Sequence, residues 1–182
     1  MLKYEKLERF NRSIFKKDKL KSKNRSQRRL TLGFFKGNEI LFIGQNPGVN
    51  RNREWTYKEF DYYQKVYVRA FHRFKMGKYL LAVCKRLGLT IEDISFTNVV
   101  KYATKDNKAP AFKDIAQCLP ILEKQIKILK PKKIVCIGRL SHGLLDGECY
   151  DVIYMKHPAS HYYNKSNIKI DADLISLWRK KI

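Results

Sequence analysis

The chain has 182 residues, the size of one ordinary domain and long enough to bury a sizeable core. Its 44 % hydrophobic and 13 % aromatic content argues against a wholly disordered polymer, and no stretch approaches the roughly 20 apolar residues that a membrane span requires. Against 17 Asp+Glu stand 39 Lys+Arg, a formal charge of +22, which points to phosphate polymers first and anionic surfaces second.

Residues 1–30 hold twelve Lys/Arg against three acids and read as a basic N-terminal extension, with the folded domain over 31–182. The opening Met1-Leu-Lys-Tyr-Glu has no apolar core of a secretory signal, so an intracellular location, cytoplasmic or at the nucleoid, is expected. Leu2, Leu7, Phe10, Ile14 and Phe15 fall at the spacing of one helical face. After Lys19, the run from Lys21 to Arg29 reads as a solvated arm. Two readings stay open: a charged helix plus linker, or an arm that grips phosphates and adds affinity without sequence information.

From residue 38 the pattern alternates between short apolar runs and helical periodicity. Ile40–Ile43 predicts a strand ending in the turn cluster Gly44-Gln45-Asn46-Pro47-Gly48. An aromatic-rich region follows, then a helix near 76–87 closed by Gly88. Residues 94–100 predict a second strand. Ile115, Cys118, Leu119, Leu122, Ile126 and Leu129 recur at helical spacing and predict a helix over 113–129, with Pro120 as a blemish. Ile134–Ile137 and 151–155 predict two further strands flanking a short helix near 140–146, and 171–181 predicts a last helix. Strands apolar on both faces, separated by helices, indicate a three-layer α/β/α domain with a central, mainly parallel four-stranded sheet.

In such sheets ligands bind beyond the carboxyl ends of the strands. The residues placed there are Gln45, Asn46, Pro47 and Gly48, then Asn98, then Gly138 and Arg139, then His157 and Pro158. Two amides and an imidazole, with no nucleophilic Ser or Cys and no carboxylate pair, suit placement of water and reading of hydrogen-bond edges rather than proton shuttling by the amides. His157 is the one titratable group, suited to stabilising developing negative charge. Trp55, Tyr57, Phe60, Tyr62 and Tyr63 offer a π-face for a planar ligand. With the basic surface, in which Lys101 and Arg139 are candidate phosphate contacts, these features suggest an extruded nucleobase. The cysteines Cys84, Cys118, Cys136 and Cys149 contain no Cys-x-x-Cys pair of a zinc ribbon or redox site, so no metal is expected.

Four segments, in order, resemble the uracil-DNA glycosylase superfamily over about residues 38–164: Gly44-Gln-Asn-Pro-Gly48, Thr97-Asn-Val-Val-Lys101, the stretch from Gln117 to Gly138, and His157-Pro-Ala-Ser160. The resemblance implies a monofunctional DNA glycosylase that hydrolyses the N-glycosidic bond of uracil, or of a related deaminated base, and leaves an abasic site for base-excision repair. It implies that Asn46 holds the hydrolytic water, that Gly44, Gln45, Pro47 and Gly48 contact the base, and that Tyr57 or Phe60 stacks on it. Asn98 would read the amide edge, and His157 would donate to O2 of the departing base. Ser160, His161, Tyr162 and Tyr163 would form the loop that wedges into the duplex. The partner implied is damaged or mismatched DNA, single- or double-stranded, met by a monomer with no membrane association.

Departures from the family pattern bear on its iron–sulfur branch. That branch needs four cysteines, yet Tyr102 stands where it places one and only Cys118 matches a ligand, so no cluster and no cofactor is expected. The alternatives are a glycosylase-like nucleic-acid-binding protein without catalysis, or an interaction module docked through its basic arm.

Overall fold

The computed structural model describes residues 3–23, 25, 30–48, 60–146 and 150–157. Tyr57, Ser160, His161, Tyr162, Tyr163 and the helix expected over 171–181 lie outside them.

A five-stranded sheet has the order β1-β3-β2-β4-β5. The elements are β1 (Phe34–Phe35), β2 (Ile40–Gly44), β3 (Ile94–Asn98), β4 (Lys133–Ile137) and β5 (Val152–Met155). β2 is central and pairs in parallel with β3, from Ile40↔Ile94 to Gly44↔Asn98, and with β4, from Ile40↔Lys133 to Ile43↔Cys136. β5 continues in parallel beside β4. Every residue of β2 and β3 is buried, as strands covered on both faces require. The four expected strands are thus present and parallel. A fifth, the two-residue β1, adds antiparallel to β3 through Phe34↔Phe96 and Phe35↔Ser95.

Helices α1 (Lys3–Lys16), α2 (Phe60–Phe71), α3 (Lys75–Arg86), α4 (Phe112–Leu129) and α5 (Arg139–Leu145) cover the sheet. Leu41, Ile43, Val99, Cys118, Leu122, Leu129, Ile134 and Leu145 belong to one apolar cluster, with α4 and α5. Phe42, Phe96, Val135, Phe71, Leu80 and Val83 belong to the other, with α2 and α3. Pro120 does not break α4: it lies on the exposed face, where water can take the freed carbonyl of Ala116.

The aromatic region hides a helix. In α2, Phe71 packs edge-on against Phe34 with centroids 4.9 Å apart and tilts onto Phe96 at 5.3 Å; Tyr67 meets the same pair. Aromatic and β-branched residues are middling helix formers, so tertiary burial of one face, not propensity, holds this helix.

The N-terminal segment is folded onto the domain. Leu7 and Phe15 of α1 enter the core cluster beside α4, and Asn11 accepts from Gln125 Nε2 at 2.8 Å. Lys21 exchanges two hydrogen bonds with Gln117 of α4. Arg25, expected in a solvated arm, is instead nearly buried: it pairs with Asp18, donates to Leu20 O at 2.7 Å, and lies 5.3 Å from the Tyr102 ring centroid. Its backbone forms an antiparallel bridge to Thr104. Among the described residues, no helix is long and apolar enough to cross a membrane.

Candidate active site

The parallel register brings the carboxyl ends of β2, β3, β4 and β5 to one edge. Gly44 ends β2 directly beside Asn98, which ends β3. The pairing continues past the strands, Val99 N donating to Gly44 O and Val100 N to Gln45 O, each at 2.9 Å. His157 follows β5 at the same edge, two strands from β2, or about 10 Å at the usual strand spacing.

Gly44 and Asn98 fit each other by the absence of a side chain. A Cβ at position 44 would lie 2.5 Å from Asn98 Oδ1, so only glycine admits the amide. Asn98 is 2 % exposed, and among the described residues its buried Nδ2 has no hydrogen-bond partner. Burial pushes the Tyr67 phenol well up, with the nearby Asn98 side chain offsetting part of the rise, but Tyr67 does not satisfy Nδ2 in hydrogen-bond geometry. An orphaned buried amide donor costs about 1–3 kcal/mol and asks for a reason.

Asn46 is held rather than free. Its Nδ2 donates to Thr104 Oγ1 at 3.1 Å and to Pro47 O at 3.3 Å, and its Oδ1 accepts from Gln45 Nε2 at 3.1 Å. Thr104 is fully buried, and its hydroxyl donates a hydrogen bond to Lys108 O. This chain fixes which end of the Asn46 amide is the acceptor and leaves Oδ1 a second lone pair. Pro47 is buried, Gln45 half-buried and Gly48 exposed. His157 is exposed as a residue, yet its ring is desolvated enough to lower the imidazole pKa below its ordinary value. Neutral imidazole therefore predominates at neutral pH.

Two expectations are corrected. Lys101 makes no phosphate contact: it is fully buried, with Nζ donating to Asn98 O, to Gln125 Oε1 at 2.7 Å and to Thr97 Oγ1 at 2.9 Å. Chain direction after β3 turns it inward, where three acceptors match its three donors. Phe60 is 1 % exposed, edge-on to Phe15 at 5.3 Å, with the Arg12 guanidinium 5.0 Å from its centroid. It serves as a core residue and presents no open face for stacking. Arg139 opens α5 on the exposed surface at the same sheet edge, where a phosphate contact remains open to it.

Thr104, Tyr67 and Gln125 escaped the sequence reading. Gln125 alone carried a signal, a polar residue at a buried position of the α4 repeat between Leu122 and Ile126.

Among the described residues, the donor set does not fit the cluster of the iron–sulfur branch; Cys149 lies outside them. Cys84 on α3, Cys118 on α4 and Cys136 on β4 are all buried, and the first belongs to the core cluster opposite the other two. Tyr102, at the cysteine position, donates to Asp114 at 2.8 Å, and Cys118 Sγ accepts from Lys101 N at 3.4 Å. Among the described residues, no three His, Cys, Asp or Glu are grouped to hold a metal ion.

An open, mainly parallel sheet whose carboxyl edge gathers amides and an imidazole defines a ligand-binding α/β domain. The chain belongs to the Uracil DNA glycosylase superfamily, whose model matches residues 33–180. It is similar to type-4 uracil-DNA glycosylases of three organisms. Identity is 40 % over 102 residues for Pyrobaculum aerophilum, covering 56 % of this chain and 45 % of the relative. It is 36 % over 104 residues for Sulfurisphaera tokodaii, covering 57 % and 41 %. For Saccharolobus solfataricus it is 30 % over 135 residues, covering 74 % and 48 %. The chain thus spans less than half the length of these curated relatives.

Proposed function

We propose that this protein is a monofunctional DNA glycosylase that hydrolyses uracil, or a related deaminated base, from DNA and leaves an abasic site for base-excision repair. Family membership and the relatives' names support the activity class. The observation that carries the reading is the orphaned Asn98 Nδ2, buried beside a glycine at the sheet edge where a ligand binds. Uracil offers it a complement: O4 accepts from Nδ2 while N3–H donates to Oδ1. Cytosine presents the opposite pattern at both atoms, and a site built to pair buried polar groups rejects such a mismatch strongly.

The remaining groups suit hydrolysis through an oxocarbenium-like state. Asn46 Oδ1, oriented by Thr104 and Gln45, accepts a hydrogen bond from the water that attacks C1′. The C1′–N bond breaks with its electron pair passing to the base, and neutral His157 donates an N–H to O2 as negative charge accumulates there. The proton that the attacking water sheds on bonding to C1′ passes to solvent and balances the one the released base anion takes up. Among the described residues no lysine is placed as a Schiff-base nucleophile, and the proposed reaction includes no strand cleavage. Flipping costs least at mismatches and in single strands, which favours G·U and single-stranded uracil over A·U.

The test is single-turnover base release from oligonucleotides carrying uracil in single strand, A·U or G·U, or hypoxanthine, developed by alkaline cleavage. Release from a uracil substrate, slowed about 10²-fold or more by Asn46→Ala, is the expected result. DNA binding without release on any substrate would overturn it in favour of a glycosylase-like binding protein.

A further inference from the structure

Lys101 is the one lysine among the described residues that is fully buried, and neither the proposed reaction nor DNA contact uses it. Its side chain folds back along its own strand end, to the carbonyl of Asn98 three residues earlier and the hydroxyl of Thr97 four residues earlier. Gln125 Oε1 of α4 is its third acceptor, and Gln125 Nε2 donates in turn to Asn11 of α1 and to Leu32 O. The main chain of Lys101 is also tied down: Thr31 N donates to its O at 2.6 Å, and its N donates to Cys118 Sγ. No carboxylate is among these partners. An apolar residue would fill this space without the desolvation that a buried amine costs.

What Nζ grips is the peptide of the residue that carries the orphaned amide. Among the described residues no group hydrogen-bonds Asn98 Nδ2, and its Oδ1 lies 2.5 Å from where a Cβ at position 44 would be. The Asn98–Val99 peptide thus has two anchors, Gly44 O on its N–H and Lys101 Nζ on its carbonyl, and the direction of the Asn98 Cα–Cβ bond follows from both.

We propose that Lys101 is a positioning residue for base recognition: through its hydrogen bond to the Asn98 carbonyl, and braced by Gln125 and Thr97, it sets the Asn98 amide in the orientation that reads the base. This rests on the glycosylase reading above. It also gives the buried Lys101–Gln125–Asn11 chain a task, as the tie between α1 and the base-reading strand.

The experiment compares wild type, Lys101→Met, Asn98→Ala and the double variant in single-turnover release of uracil from single-stranded oligonucleotide. Affinity for the same oligonucleotide without uracil is measured alongside. Wild type must release uracil; if it does not, the glycosylase reading fails and this proposal falls with it, whereas a failure seen only in the variants below concerns this proposal alone. Lys101→Met is expected to slow release by about 10-fold to 10²-fold, the cost of a misplacement of about 1 Å, with affinity for uracil-free DNA unchanged. In the Asn98→Ala background the same change is expected to add nothing, because the group it positions is gone. A wild-type rate for Lys101→Met, or an equal loss in both backgrounds, would overturn the proposal. Should Lys101→Met fail to fold, Thr97→Val removes one brace at nearly constant volume. It is expected to slow release in the same direction and only when Asn98 is present, and a wild-type rate would overturn the proposal equally.

Discussion

Asn98 Oδ1 occupies the space that a β-carbon on Gly44 would need, 2.5 Å away, so the ends of the two central parallel strands are matched through a missing side chain. Gly44→Ala is expected to displace the Asn98 amide and slow uracil release by about 10² or more. The check is single-turnover kinetics on protein whose circular dichroism is unchanged. A wild-type rate would mean that the close approach has no bearing on the reaction.

The orphaned Nδ2 of Asn98 predicts a trade between stability and function. Asn98→Leu replaces the amide with an apolar group of similar shape and removes an unsatisfied donor. It is expected to leave stability unchanged or raise it by up to about 1–3 kcal/mol, while uracil release falls by about 10² or more. Urea unfolding and release kinetics on one preparation test both halves. A large destabilisation would show that Nδ2 has a structural partner.

Thr104 orients Asn46 from outside the sequence motif. Thr104→Val keeps the volume but removes the acceptor for Nδ2 and the hydroxyl that donates to Lys108 O. The expected loss in release is smaller than for Asn46→Ala, about 10-fold against about 10² or more, with little added effect in the Asn46→Ala background. Full additivity of the two would refute the link.

Burial lowers the Lys101 ammonium pKa to about 7, against an ordinary value of 10.5. Thr97, Asn98 and Gln125 face it, with the Cys118 thiol close by. Above pH 7 the unfolded chain holds this proton while the folded protein releases it, so stability rises with pH. The clean window is pH 7 to about 8.5. Beyond it Cys84, Cys136, Tyr67 and Tyr102, all raised by burial, hold protons that the unfolded chain loses, and stability turns down. Lys101→Met is expected to remove the rise and keep the downturn. Identical stability profiles for the two proteins from pH 6 to 8.5 would contradict it.

Arg25 and Asp18 form a nearly buried pair, with side chains 11 % and 5 % exposed. Arg25→Ala leaves a buried carboxylate without its partner and is expected to cost about 3–5 kcal/mol. Losing both charges in Arg25→Met with Asp18→Leu is expected to cost less than Arg25→Ala alone. Thermal unfolding of the three proteins decides it, and equal midpoints would place the pair in solvent.

What a reader of the chain can see is local. Strands β2 and β4 stand out because each is a short apolar run ended by glycine, and α4 because its apolar residues recur at helical spacing through Pro120. The site edge follows from parallel connectivity, which is itself implied by strands alternating with helices. Gly44, Asn46, Asn98 and His157 were therefore within reach of residue chemistry and motif order. Helix α2 was not, since its aromatic and β-branched residues have no strong helical preference and its support is Phe34 and Phe96, far away in the chain.

Composition, periodicity and turn chemistry act over a few residues, and they were enough for the α/β class and the parallel order and for placing a candidate site at the strand ends. Tertiary structure alone decided which way the charged and aromatic residues face. Lys101 looks like any loop lysine in sequence, Arg25 like part of a solvated arm, and Phe60 like a free aromatic. Each is instead buried by partners at distant positions: Gln125, Tyr102 and Phe15. The physical reason is that a long side chain's fate depends on the acceptors and rings that the fold brings to it, and those contacts carry no local periodicity.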